Sequence, residues 1–172
     1  EMITNGVIRL RAIEPEDLEM LYQLENSHDL WDVGNTNVPY SKYALTDYIT
    51  NVSYDIYQDK QVRLIIEECG TTAIAGIIDL INFDPKHRRA ELGIVIMKAQ
   101  RRKGYACGAL QLISKYAAET LHLHQIYAIT DVDNVASVEL FKKAGYIYGT
   151  MFRDWLYDGH KYHNAIVFQS FL

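Results

Sequence analysis

A chain of 172 residues that is 49% hydrophobic is long enough to bury one sizeable core, and no Pro/Gly/Ser-rich linker divides it, so a single domain over 1–172 is expected. Its 22 acidic and 17 basic side chains give a net charge of −5, which argues against a nucleic-acid partner, held mainly by excess Lys and Arg, and favours a cationic one. Two cysteines are too few for a disulfide framework, and no N-terminal apolar run resembles a signal peptide or membrane span, so a cytoplasmic location without membrane attachment is expected.

Residues 7–12 alternate apolar and basic side chains, the period of a half-buried strand. Pro15 among Glu14, Glu16 and Asp17 suits a first helical turn, and Leu18, Leu21, Tyr22 and Glu25 continue at helical spacing to about Asn26. Residues 28–40 have no clear period and read as a loop or broken helix; Ser41 then serves as N-cap of a helix predicted over 42–58. The β-rich runs 62–68 and 72–83 join through Cys69-Gly70-Thr71 as a hairpin, and Asp84-Pro85 turns the chain into a third antiparallel strand at 89–97.

That strand, opened by Glu91, runs into Arg101-Arg102-Lys103-Gly104-Tyr105-Ala106 and then a helix with Ala106, Ala109, Leu110, Ile113, Ala117 and Leu121 on one stripe. Backbone N–H groups at a helix start, backed by cations, suit a pyrophosphate; an ordinary solvated turn fits the same residues. A short strand at 126–130, a helix capped by Asp133-Asn134 and ending near Gly145, and a hairpin of 146–156 and 162–171 around Asp158-Gly159 complete the chain. The order predicts an α+β fold with a mixed, mostly antiparallel twisted sheet, because the helix between 97 and 126 permits a parallel crossover.

Arg101, Gly104 and Ala106 meet the pattern Gln/Arg-x-x-Gly-x-Gly/Ala, and Asn134, Gly145 and Tyr146 mark a downstream Asn-led helix ending in Gly-aromatic. Together, and in this order, they resemble the GNAT superfamily of acyl-CoA N-acyltransferases. The run Arg88-Arg89-Ala90-Glu91, with Asp158-Gly159 and Asn164-Ala165-Ile166, is similar to the bacterial spermidine and diamine acetyltransferases. The resemblance implies a sheet of about seven strands flanked by about four helices, acetyl-CoA as co-substrate, an amine acceptor and a homo-oligomer, dimer or larger.

By the same resemblance, the backbone of Ile94 and Ile96 holds the acetyl-pantetheine arm as an added strand. The N–H groups of Arg102 through Ala106 hold the pyrophosphate with the help of the Arg101, Arg102 and Lys103 charges, and Asn134 bridges to the arm. An acceptor amine is an ammonium at neutral pH and must lose a proton before it attacks, so Glu91 is the expected general base and Asp154 its reserve; an ion pair of Glu91 with Arg88 or Arg89 is the structural alternative. Many relatives carry a tyrosine general acid where this chain has Phe141. Ser137, one helical turn earlier, takes that role by resemblance to the branch that acetylates protein N-termini, including ribosomal proteins, which shares Asn134-x-x-Ser137.

In 27–40, where polyamine enzymes carry several acids, Asp29 and Asp32 remain, with Trp31 and Tyr40 as candidate pocket walls for an amine or a peptide N-terminus. A polyamine or diamine acetyltransferase is the leading reading, a protein N-terminal acetyltransferase the second, and a silent acetyl-CoA-binding module, suggested by Phe141, the third. His122 and His124 share a strand face without a third ligand nearby in sequence, so no metal is expected.

Overall fold

The structure, a computed structural model, describes residues 3–27 and 39–172. Its elements in chain order are β1 (Ile3–Thr4), β2 (Ile8–Ala12), α1 (Leu18–Glu25), α2 (Lys42–Asn51), α3 (Ile56–Asp59), β3 (Val62–Glu68), β4 (Ile74–Asp84), β5 (Arg89–Ile96), α4 (Tyr105–Glu119), β6 (Gln125–Asp131), α5 (Val135–Lys143), β7 (Ile147–Tyr157) and β8 (Tyr162–Phe171). They build one sheet in the order β1-β2-β3-β4-β5-β6-β8-β7, antiparallel at each junction except β5 with β6.

One face of the sheet packs Ile8, Leu64, Ile78, Leu80 and Leu92 against Leu110, Ile113 and Ala117 of α4 and Phe141 of α5. On the other face Ile65 and Ile77 pack against Leu21 of α1 and Leu45 and Ile49 of α2. This is the α+β arrangement expected, with an eighth strand contributed by the short β1, which 7–12 alone did not announce.

The predicted helix over 42–58 is two helices. Ser41 caps the first, accepting from the Ala44 N–H, but Val52 is extended and Tyr54 sits at φ 58. Asp55 then caps α3 by accepting from the Tyr57 N–H, and the Ser53 hydroxyl accepts from the Asp55 N–H. Short polar side chains that bond nearby backbone compete with helix continuation, which is why the apolar period ran past the real break.

Arg9 and Arg11, polar in the alternating pattern of β2, are built into the sheet. Glu67 on β3 accepts from both guanidiniums, and Arg11 also forks onto the two carboxylate oxygens of Asp17 at 2.8 and 2.9 Å. Asp17 in turn accepts from the Glu14 N–H at 2.8 Å, so this network clamps the start of α1 to β2 and β3. Burial pushes the Asp17 and Glu67 carboxyls up, but hydrogen bonds to the guanidiniums outweigh it, and both are held below the usual carboxylate range.

A lowered folded-state pKa contributes stability that is fully present above the ordinary carboxyl value, about 4, and is lost as pH falls from there through the lower folded-state value. In urea titrations the protein is therefore expected to hold its stability from neutral pH to about 5 and to lose it progressively below about 4. Arg11→Leu leaves the buried Asp17 carboxylate without its guanidinium and Glu67 with Arg9 alone, and should cost on the order of 3 kcal/mol at neutral pH, with a flatter acid limb. An unchanged acid limb in that variant would remove Arg11 from this role.

Candidate active site

The pairing of β5 with β6 covers only Arg89↔Gln125, Ala90↔Ile126 and Glu91↔Tyr127, after which the two strands part. The Met97 N–H donates to the Ala75 carbonyl, so Met97 faces β4 with its backbone groups. In an antiparallel ladder the direction alternates, so Val95 and Gly93 face β4 as well, while Ile94 and Ile96 turn their N–H and C=O groups into the gap. Their side chains lie against the core with α4, as ordinary core residues do. The gap thus offers amide-bonding groups at the two positions expected from the resemblance; the Ile96 carbonyl also accepts from Arg101 Nε at 3.1 Å.

Gly76 sets this geometry from the other side. A Cβ there would lie 2.0 Å from the Val95 carbonyl oxygen, so only glycine lets β4 approach the free half of β5 this closely.

Glu91 occupies the last paired position before the gap and is half-buried. Asn82 Nδ2 donates to its Oε1 at 3.2 Å, from a bulge in which Asn82 adopts φ 50. The ion-pair alternative has other partners: Arg89 pairs with Asp84 at 3.5 Å and Arg88 donates to the His122 carbonyl at 2.7 Å. Tyr127 stands in register with Glu91, its phenol pushed up by burial and by the Glu91 charge. Neither Asn82 nor Tyr127 was singled out from sequence, since a bulge and a cross-strand register are products of pairing.

The basic loop has the expected form. Gly104 is the N-cap of α4 at φ 79, and Arg102 precedes it at φ 64. A Cβ on Gly104 would meet nothing within 4 Å, so glycine is required here by the left-handed backbone rather than by crowding. The first α-helical bond runs from the Gly108 N–H to the Gly104 carbonyl, leaving the N–H groups of Tyr105, Ala106 and Cys107 without an intrahelical partner. Arg101, Arg102 and Lys103 are exposed; Lys103 bonds Gln100 at 2.8 Å, and Tyr105 donates its phenol to Glu68.

Asn134 caps α5 through its side-chain oxygen, which accepts from the Ser137 N–H at 3.1 Å, and Ser137 is half-buried in the first turn. Phe141 on the same helix is 4% exposed and stacks on Phe168 at 5.6 Å. Asp154 lies exposed on β7, the edge strand separated from β5 by β6 and β8, with its N–H held by Asn164 at 3.0 Å; the fold does not bring it to Glu91.

Tyr40 is partly exposed, and Asn26 clamps it with two bonds, to its N–H at 2.8 Å and its carbonyl at 3.1 Å. Asn26 thereby ties together the two ends of the segment that carries Asp29, Trp31 and Asp32, which lie outside the described residues. His122 and His124 fall in the turn before β6 rather than on a strand. A cavity of about 610 Å³ lies elsewhere, lined by Tyr48, Tyr54, Tyr57 and, at the far end of α4, Tyr116. Tyr116 is roughly 16 Å along that helix from Tyr105, and none of the gap residues lines the cavity.

A sheet whose parallel pair parts beside a carboxylate, next to a glycine-capped helix start flanked by cations, defines a site for a thioester arm that ends in a pyrophosphate. Residues 8–147 match the acetyltransferase (GNAT) domain family. The chain is 30% identical over 162 residues to spermidine N(1)-acetyltransferase of Escherichia coli, covering 92% of this chain and 83% of that one. It is 29% identical over 172 residues to the putative ribosomal N-acetyltransferase YdaF of Bacillus subtilis, covering 95% and 91%. Its fold is similar to the crystal structure of spermidine N-acetyltransferase from Vibrio cholerae in complex with CoA and spermine, with a TM-score of 0.84 at 24% identity over 97% and 96% of the two chains. The chain belongs to the GNAT acetyltransferase family, and it is an acetyl-CoA-dependent N-acetyltransferase.

Gly76→Ala forces the free half of β5 to move, and overpacking of this kind should weaken CoA binding by about tenfold. Calorimetric titration with CoA checks this; an affinity equal to the parent would show that the approach of β4 to Val95 does not shape the cofactor site.

Proposed function

We propose that the protein acetylates a cationic small-molecule amine, of the polyamine or diamine kind, by direct attack of the amine on the thioester of acetyl-CoA. The observation that carries this reading is the half-buried carboxylate of Glu91 at the point where β5 and β6 part. The backbone of Ile94 and Ile96 holds the pantetheine arm, and the N–H groups of Arg102 through Ala106, with the Arg101, Arg102 and Lys103 charges, hold the pyrophosphate. Asn134 spends its side-chain oxygen on the α5 cap and so has its amide NH₂ left to donate to the arm.

In this scheme Glu91, oriented by Asn82, takes a proton from the incoming ammonium, directly or through water, and frees the lone pair that attacks the carbonyl carbon. The carbon–sulfur bond then breaks, and Ser137 relays to the departing sulfur the second proton that the attacking nitrogen gives up, so that the hydroxyl is restored and Glu91 returns its own proton to solvent. Phe141 is committed to the Phe168 stack, so a packing role accounts for it without loss of catalysis. The net charge of −5, with Asp29, Asp32, Trp31 and Tyr40 as the residues proposed to meet the acceptor, favours a cation.

The half-buried Ser137 beneath Asn134, and the likeness to YdaF, favour a peptide N-terminus as the second reading. The free cysteines Cys69 and Cys107 support work in a reducing cytoplasm. Among the described residues no helix is long and apolar enough to cross a membrane. Self-association is supported by β7, an eleven-residue edge strand exposing Ile147, Tyr148, Met151 and Trp155.

Incubation with acetyl-CoA and a panel of spermidine, diamines, aminoglycosides and peptides, followed by free-thiol release, should give turnover with polyamines above the rest; turnover with peptides alone would overturn the small-molecule reading. Glu91→Gln is expected to lower kcat by about 100-fold or more with CoA affinity nearly unchanged. Equal rates in that variant would exclude Glu91 as base. Ser137→Ala should slow turnover, and a rate equal to the parent would mean that the thiolate leaves unaided.

A further inference from the structure

The C-terminal end of β6 and the start of β8 bring together three groups that the transfer reaction does not use. Asp131 ends β6, Asp133 follows in the turn before α5, and His163 is the second residue of β8. His163 Nδ1 lies 2.9 Å from Asp133 Oδ2 and 3.3 Å from Asp131 Oδ2. The three donor atoms lie within 4.8 Å of one another.

Each group is held in place by its other atoms. Asp131 Oδ1 accepts from the Asp133 N–H at 2.8 Å, which turns Oδ2 toward the imidazole. Asp131 pairs with Ala165 across the β6–β8 ladder, so His163 stands diagonally across from it on the same face. The far ring nitrogen, His163 Nε2, lies 2.6 Å from Asp158 Oδ2. Asp158 is in turn fixed by accepting from the N–H groups of His160 and Lys161, both at 2.8 Å, through Oδ1. A histidine with one nitrogen toward two carboxylates and the other bonded to a third carboxylate has the ligand and outer-shell arrangement of a metal site.

We propose that Asp131, Asp133 and His163 bind a divalent transition-metal ion through one imidazole nitrogen and two carboxylate oxygens, with Asp158 orienting the ring. Bond lengths of about 2.0–2.2 Å to such an ion place cis ligands roughly 3–3.4 Å apart, the separation already present between the imidazole and each aspartate. Three carboxylates around one imidazole leave two or three negative charges in excess, which a dication offsets. The mixed nitrogen and oxygen donors suit Zn²⁺, Co²⁺ or Mn²⁺ better than Ca²⁺ or Mg²⁺, which take oxygen. The His163 side chain is 12% exposed and that of Asp133 65%, so water reaches the open side and completes the coordination. Asp133 directly precedes Asn134, so the ion would pin the tip of the closing hairpin to the turn that carries the α5 cap.

The proposal stands apart from the choice of acceptor amine and is tested without turnover. Protein treated with EDTA and then freed of it is titrated calorimetrically with ZnCl₂ and MnCl₂, and with CoCl₂ while visible absorption is followed. One ion per chain is expected, with d–d bands on Co²⁺ addition. Asp131→Asn and His163→Gln should each lose affinity by at least about tenfold, and Asp158→Asn should weaken binding while keeping the stoichiometry. Circular dichroism and CoA binding establish that each variant is folded. No saturable binding to the parent protein, or equal affinity in folded Asp131→Asn and His163→Gln, overturns the site.

Discussion

The structure depends on the short pairing of β5 with β6. Three residue pairs join the halves of the sheet, and beyond Glu91 the strands go separate ways, each still bonded on its outer side. The inner backbone groups of Ile94 and Ile96 are therefore left facing a gap inside an otherwise complete sheet. The Ile96 carbonyl accepts from Arg101; leaving the others without strand partners costs free energy that a ligand with amides along an extended arm would offset. The gap is an interior position of the sheet at which an extended segment could add as a strand, which no edge strand could offer with the core still closed around it.

The rest of the site is arranged around that gap. The parallel crossover is made by α4, which puts its N-terminus, with N–H groups lacking an intrahelical partner and three neighbouring cations, shortly after the end of β5. Glu91 sits where pairing stops, at the start of the gap, while still anchored in a regular strand. The bulge that turns Asn82 toward it lies on β4, on the opposite side of β5 from the gap. On the far side of the sheet from α4, the Arg9, Arg11, Glu67 and Asp17 network holds α1 down by charge, and Asn26 at the end of α1 bonds the backbone of Tyr40.

Much of this was legible in the chain because it rests on local rules. The capping residues Ser41 and Asn134, the glycine at 104 and the apolar stripe of α4 each have a short-range cause, and each is found where expected. The helix over 42–58 was misread because apolar spacing continued through Ser53 and Asp55, whose side chains bond backbone and divide it. Asp154, a reasonable carboxylate by type, lies on the edge strand because hairpin register, not composition, decides its place.

By itself the sequence determined the element order, the single parallel crossover, the glycine-capped basic loop before α4 and the identity of the chemical groups available, since these follow from periodicity, capping and residue type over neighbouring positions. Only the tertiary structure decided which groups meet: Asn82 and Tyr127 with Glu91, Arg11 with Asp17 and Glu67, His163 with Asp131, Asp133 and Asp158. Apart from Arg11 with Asp17, these contacts join residues brought together by strand register, bulges and hairpin closure. Those depend on the packing of the whole sheet, which no local stretch of chain encodes.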